Sequence, residues 1–157
     1  MIQYQFASLT QANALTIAND WHYPDEYSFY DMTADPEDYE ELIDPDQRGD
    51  QYFQAIDRDG TLMGFFALIP TDNPDVIELG LGMAPTQAGH GRGTDFVQQI
   101  LTYVREHVVA EQVLLDVAAF NVRAQKVYAR AGFVVTGRHD QETNGGVYPF
   151  VTMVAKL

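Results

Sequence analysis

The chain has 157 residues, 46% of them hydrophobic, no cysteine and a formal net charge of −14. Lack of cysteine excludes a disulfide framework, thiolate catalysis and any cysteine-ligated zinc site. Nine basic against 23 acidic residues leave no basic surface to neutralise nucleic-acid phosphates, and no apolar run approaches the length of a membrane span.

In chain order, Tyr4–Ala7 predicts a short strand and Thr10 the N-cap of a helix running to about Asp20. Residues 21–35 hold Trp21, His22, Tyr23, Tyr27, Phe29 and Tyr30 among prolines and acids, which predicts an aromatic loop or broken helix. Pro36–Ile43 follows as a short acidic helix with proline in its first turn. Asp44–Asp50 superficially resembles a calcium loop, but Arg48 stands at a ligand position and Ala55 replaces the closing glutamate. Strands at Tyr52–Ile56 and Thr61–Ile69 flank the hairpin signal Asp57-Arg58-Asp59-Gly60.

Val76–Met83 is the next strand. A helix from about Gly93 to His107 places Phe96, Ile100, Val104 and Val108 on one stripe, as a core-facing helix requires. Val113–Val117 is almost wholly apolar, the pattern of a strand covered on both faces. A second amphipathic helix spans about Val122–Ala131 and stops at Gly132. Val134–Arg138 and Val147–Ala155 complete a mixed, mostly antiparallel sheet of about seven strands with helices on both faces, an α/β (α+β) arrangement. No repeat or linker divides the chain, so residues 1–157 are expected to form one domain.

The densest chemical signal is Gly89-His90-Gly91-Arg92-Gly93-Thr94, between a strand and a helix. Alternate glycines permit positive φ and close backbone approach, and the following helix aims its free N–H groups and positive dipole end at the loop. That is a place for an anion, most naturally a phosphate. No Gly-Lys pair exists for a nucleotide-triphosphate loop, and Thr94 and Phe96 stand where a dinucleotide fingerprint needs its last glycine.

The segment from Met83-Ala84-Pro85 through Thr94 resembles the acyl-CoA pyrophosphate loop of the GCN5-related N-acetyltransferases (GNAT). A second motif strengthens the resemblance: Asn121, then Ala124-x-x-x-Tyr128-x-x-x-Gly132-Phe133. Seven residues are nearly two helical turns, so Asn121 and Tyr128 share a face, with Ala124 leaving space between them for a thin chain such as pantetheine. One departure stands out. The family commonly has Arg or Gln three residues before Gly91, where this chain has Ala88, with Gln87 one residue early. Compensation is expected from Arg92 or Thr94, or from Gln87 through a shifted loop.

The resemblance implies an acyl-CoA N-acyltransferase fold and direct transfer of acetyl from acetyl-CoA, as cosubstrate and without a metal, to a primary amine. It implies that the backbone of Leu81, Gly82 and Met83 pairs with the pantetheine arm while the next parallel strand splays away. Gly89, His90, Gly91, Arg92, Gly93 and Thr94 would hold the pyrophosphate. Asn121 and Ala124 would meet the cofactor, although Asn121 also suits a simple helix N-cap. Tyr128 is the expected general acid for the leaving thiolate, with an aromatic core residue as the alternative. Glu78 is the expected base, directly or through a water, since Gly80 and Gly82 on its face leave a groove; a solvent-facing strand carboxylate is the alternative. His22 and His139 are weaker candidates.

Charge divides unevenly. Residues 1–78 carry 17 acids against Arg48 and Arg58, whereas residues 79–157 carry six acids against seven bases. Trp21, Tyr23, Tyr27, Phe29 and Tyr30 lie in the acidic half, where the family shapes its acceptor site, and suit a cationic amine through cation–π contact; core packing is the alternative. Expected partners are a small-molecule or peptide amine, with neither nucleic acid nor membrane, and strands near the C-terminus permit a homodimer. The N-terminus lacks the basic and apolar parts of a signal peptide, so a cytoplasmic protein is expected. Rival readings are an acyl-CoA sensor without catalysis and an acidic interaction module.

Overall fold

A computed structural model describes residues 2–157. Seven strands form one sheet in the order β1-β2-β3-β4-β5-β7-β6. They are β1 (Gln5–Ser8), β2 (Tyr52–Ile56), β3 (Leu62–Pro70), β4 (Val76–Met83), β5 (Gln112–Ala118), β6 (Val134–Thr143) and β7 (Gly146–Lys156). Every neighbouring pair is antiparallel except β4 and β5. Helices α1 (Gln11–Asp20), α2 (Pro36–Ile43), α3 (Pro45–Arg48), α4 (Gly93–His107) and α5 (Val122–Arg130) complete the fold.

Local chemistry sets most boundaries. Thr10 caps α1 by accepting from Asn13 N–H at 3.2 Å, and Asp35 caps α2 by accepting from the N–H groups of Glu37 and Asp38. In the hairpin between β2 and β3, the Asp57 carboxylate accepts from the N–H groups of Asp59 and Thr61, both at 2.9 Å, while Gly60 takes a φ of +84°. The calcium-like stretch is a capped helical turn: Asp44 caps α3, and the buried Arg48 donates to Leu42 O at 2.6 Å.

The two sheet faces bury different cores. On one face α4 lays Phe96, Ile100 and Val104 over Phe66, Val113, Leu115 and Met153, and α5 packs beside it. On the other, Ala14, Ile17 and Ala18 of α1, with Trp21 and Leu42, cover Phe65. β3 is buried from Met63 to Leu68 because it lies beneath both layers. The last strands run longer than the apolar pattern suggested, β6 reaching Thr143 rather than Arg138. Residues 134–140 are all exposed, so burial imposes little period-two alternation there. Among the described residues no helix is long and apolar enough to cross a membrane.

Candidate active site

The three glycines of the loop have different jobs. Gly89 and Gly91 adopt φ of +79° and +76°, a region that side-chain-bearing residues enter only at a cost. Gly93 is helical, and a Cβ there would lie 3.1 Å from Val127 Cγ1, so it lets α4 approach α5 closely. No side chain caps α4 at Arg92, which leaves its first-turn N–H groups for a ligand. The Arg92 guanidinium instead donates to Gln87 Oε1 along the loop. This contact ties together two of the three side chains expected to compensate for Ala88. The His90 and Arg92 side chains are exposed, Thr94 is half-buried, and the loop residues that line the cleft are Ala88, Gly89, Gly91 and Gly93.

A cation not anticipated from sequence completes this end. A Cβ on Gly89 would lie 3.2 Å from Arg123 Nη1, and Arg123 Cζ sits 4.1 Å from the ring centroid of Tyr27. The available signal was its place in the first turn of α5, two residues after Asn121, in a chain poor in bases.

The single parallel pair opens the sheet. β4 and β5 pair only over Val76–Glu78 and Gln112–Leu114, after which β5 continues with β7 alone. Ala84 N–H donates to Met63 O, and antiparallel pairing alternates, so Gly82 directs its peptide groups to β3 while Leu81 and Met83 direct theirs into the splay. This corrects the expectation for Gly82. Its role is steric: a Cβ there would lie 2.7 Å from Phe65 Cε1. Met83 O already accepts from Tyr23 Oη at 2.6 Å, leaving Leu81 N–H and C=O and Met83 N–H turned toward the opening.

A cleft of about 630 Å³ runs through this splay. Asn121, Ala124 and Tyr128 of the α5 motif all line it. Asn121 is nevertheless engaged with protein: its Oδ1 accepts from Ala124 N–H and its Nδ2 donates to Tyr30 Oη, both at 3.1 Å. The helix-cap alternative therefore holds for Asn121, which also positions Tyr30. Tyr128 is half-buried; burial of its hydroxyl first, then the neighbouring Tyr30, raises its phenol pKa well above the ordinary value, so the hydroxyl keeps its proton at neutral pH.

Of the acceptor-side aromatics, Tyr23, Tyr27, Phe29 and Tyr30 line the cleft. Trp21 does not. It is 7% exposed, packs against Phe65 and belongs to the core under α1, because the chain leaves α1 there and the ring closes that layer. Asp31, Asp38, Glu41 and Tyr52 also line this end, and none was singled out from sequence. They were hidden in a chain whose whole first half is acidic. Asp31 accepts from Tyr23 N–H and pairs with His22 Nδ1 at 3.0 Å, which raises the His22 pKa, and His22 Nε2 meets Asn19 O at 2.9 Å. The Asp38 carboxyl is pushed up to about 6 by desolvation and by the carboxylates of Asp35, Glu41 and Glu37.

Glu78 lies one pleat outside the cleft. Its cross-strand partner Ile69 and the next residue on its face, Gly80, line the space, while its own carboxylate does not. Burial, then Asp116, raises its pKa. A Cβ on Gly80 would meet nothing within 4 Å, so a water can stand between Glu78 and the cleft. His139 sits further along that face, 3.9 Å from Asp116 Oδ1.

A family model described as the Acetyltransferase (GNAT) family matches residues 15–133. Among solved structures, the Vibrio cholerae spermidine N-acetyltransferase in complex with CoA and spermine is 22% identical, with a TM-score of 0.73 over 98% of this chain and 95% of that one. A chimera of Vibrio cholerae SpeG and hSSAT is 19% identical, with a TM-score of 0.75 over 98% and 95%. A phosphinothricin N-acetyltransferase, itself assigned only provisionally, is 14% identical, with a TM-score of 0.71 over 99% of each chain. No curated protein matches significantly.

Proposed function

The chain belongs to the GNAT family of acetyltransferases, and from that premise we propose that it transfers the acetyl group of acetyl-CoA to a primary amine of a small cationic acceptor such as a polyamine. The observation that carries this reading is the continuity of one cleft, from the open amides of the glycine loop, past Tyr128, to the aromatic and acidic end at Asp38 and Glu41. Diphosphate on the loop, flanked by Arg123, would direct the pantetheine along Leu81 and Met83 as an added strand. The acetyl group would then lie near Tyr128.

An alkylammonium acceptor must lose two protons as it becomes an amide. The amine nitrogen attacks the thioester carbon, the carbon–sulfur bond breaks, one proton ends on sulfur and the other leaves to solvent. Tyr128, held neutral by burial, is assigned the hydrogen bond to the developing thiolate. Glu78 is assigned the removal of the ammonium proton through a water above Gly80. Carboxylates beside tyrosine faces favour a cation with an apolar chain, and two structural relatives are named as spermidine acetyltransferases.

CoA release measured across a panel of amines tests the reading. Cationic diamines and polyamines are expected to turn over, and tight CoA binding with no turnover on any amine would overturn it. The same assay carries a pH prediction. Asp38 is ionised above about 6 and neutral below, so a cationic acceptor loses a counter-charge as pH falls. Because the site is partly solvated, KM for the acceptor should rise up to about fivefold between about pH 7 and pH 5. In Asp38→Asn that dependence should flatten, with KM high throughout.

A further inference from the structure

We propose that a hydrogen-bonded tie from Asp35 to the β6–β7 turn closes the acceptor end of the cleft into a narrow passage, and that Thr143 and Asn144 thereby select slender, unbranched amines. The proposal rests on the acetyltransferase reading above and names the acceptor shape that this site would take.

Residues 23–35 cross the mouth of the splay as a strap of two short 3₁₀ turns, Asp25–Tyr30 and Met32–Ala34. One end is fixed where Tyr23 Oη donates to Met83 O, and the middle where Asn121 Nδ2 donates to Tyr30 Oη. Phe29 is wedged against the last strand, with ring centroids 5.0 Å from Tyr148 and 6.2 Å from Phe150. The far end is fixed at Asp35. Its Oδ2 accepts from Thr143 Oγ1 and from Asn144 N–H, both at 3.1 Å, and Asn144 Nδ2 donates back to Phe29 O at 2.7 Å.

These contacts join segments more than 100 residues apart in sequence, and both segments line the same cleft. Without them the strap would meet the hairpin through the packing of Phe29 on Tyr148 and Phe150, and the turn itself would be untethered. With them strap and turn meet, and an acceptor must thread beneath the strap instead of lying in an open trough. Asp35 is well suited to hold the junction. Its other oxygen caps α2, and its hydrogen bonds, led by that from Asn144, lower its pKa and keep it ionised. Asn144 adopts a φ of +53°, and this left-handed turn presents both its backbone N–H and its amide to the strap.

The test compares kcat/KM for a linear diaminobutane, a diaminocyclohexane and a tripeptide amide. Wild-type protein, Thr143→Val/Asn144→Gly, Asn144→Gly alone and Thr143→Ser are assayed by CoA release. Glycine keeps the left-handed turn and Asp35 keeps its cap on α2, so the double variant removes the two side-chain hydrogen bonds of the tie, leaving only the backbone N–H of residue 144 on Asp35, without removing either element. The cyclic-to-linear ratio is expected to rise about fivefold or more in the double variant, from loss of two hydrogen bonds, and less in Asn144→Gly. Thr143→Ser, which retains the hydroxyl, should keep the wild-type ratio.

An unchanged ratio in the variants, or wild-type protein that accepts the cyclic and peptide amines as readily as the linear one, overturns the proposal while leaving the acetyltransferase reading intact. If no amine turns over, that reading fails, and calorimetry of the same three amines on CoA-loaded protein still reads the passage. Equal selectivity in wild type and variants would then overturn the tie as a selector. Should the double variant fail to fold, Asn144→Gly carries the same comparison.

Discussion

Replacing Tyr128 by Phe is expected to lower kcat by about a hundred- to a thousandfold, the loss found when a single preorganised donor to a developing anion is removed. KM for acetyl-CoA should change little, because the ring remains and only the hydroxyl goes. That ring packs edge-on against Phe133, with centroids 5.9 Å apart, so the helix stays in register with the core. Tyr128 lines the cleft, and burial keeps its hydroxyl protonated well past the ordinary range of a phenol. Wild-type activity should therefore show no loss from Tyr128 ionisation as pH rises through 9, since a raised pKa leaves the protonated donor in place there. Steady-state kinetics with a saturating amine, read beside CoA affinity from calorimetry, separates the two roles. A parallel loss of CoA binding and kcat would mark Tyr128 as a packing residue.

Substituting Gly91 by Val should weaken CoA binding about ten- to thirtyfold with little effect on kcat at saturation. A Cβ at Gly91 meets no atom within 4 Å, so the effect is conformational and not a clash. Its φ of +76° costs a side-chain-bearing residue about 1–2 kcal/mol, more for a β-branched one. The free loop should relax to negative φ and turn its amides away, and CoA must then supply the energy to turn them back. Gly60→Val provides the control: it has a φ of +84° in the hairpin between β2 and β3, away from the cleft. It should lower stability in denaturant titration and leave CoA affinity unchanged. If Gly91→Val binds CoA as tightly as wild type, the glycine loop is a structural turn and the cofactor reading is lost.

Legibility in the sequence followed the range of the interactions involved. Helix starts at Thr10 and Asp35 are written in residues two or three positions from the amides they cap. The glycine loop and the α5 motif were legible for the same reason, because a positive φ or a shared helical face is a local property. Arg123 was missed: its partners are Gly89 and Tyr27, on other elements, and nothing beside it in sequence announces them. Trp21 and Tyr23 illustrate the limit most sharply. They are two residues apart in one aromatic segment, yet one closes the core under α1 and the other bonds the end of β4.

The amino-acid order alone determined the succession of the seven strands and four of the five α-helices, the positive-φ glycine loop and the face shared by Asn121, Ala124 and Tyr128. Each depends on φ preferences, capping and periodicity within a few residues. Only the tertiary structure decided that Gly82 turns to β3 while Leu81 turns to the splay, that Glu78 stands one pleat outside the cleft, and that Asp35 reaches the β6–β7 turn. Those outcomes depend on strand register and on contacts across the sheet, where a shift of one residue reverses every side chain. No local pattern in the chain carries that information.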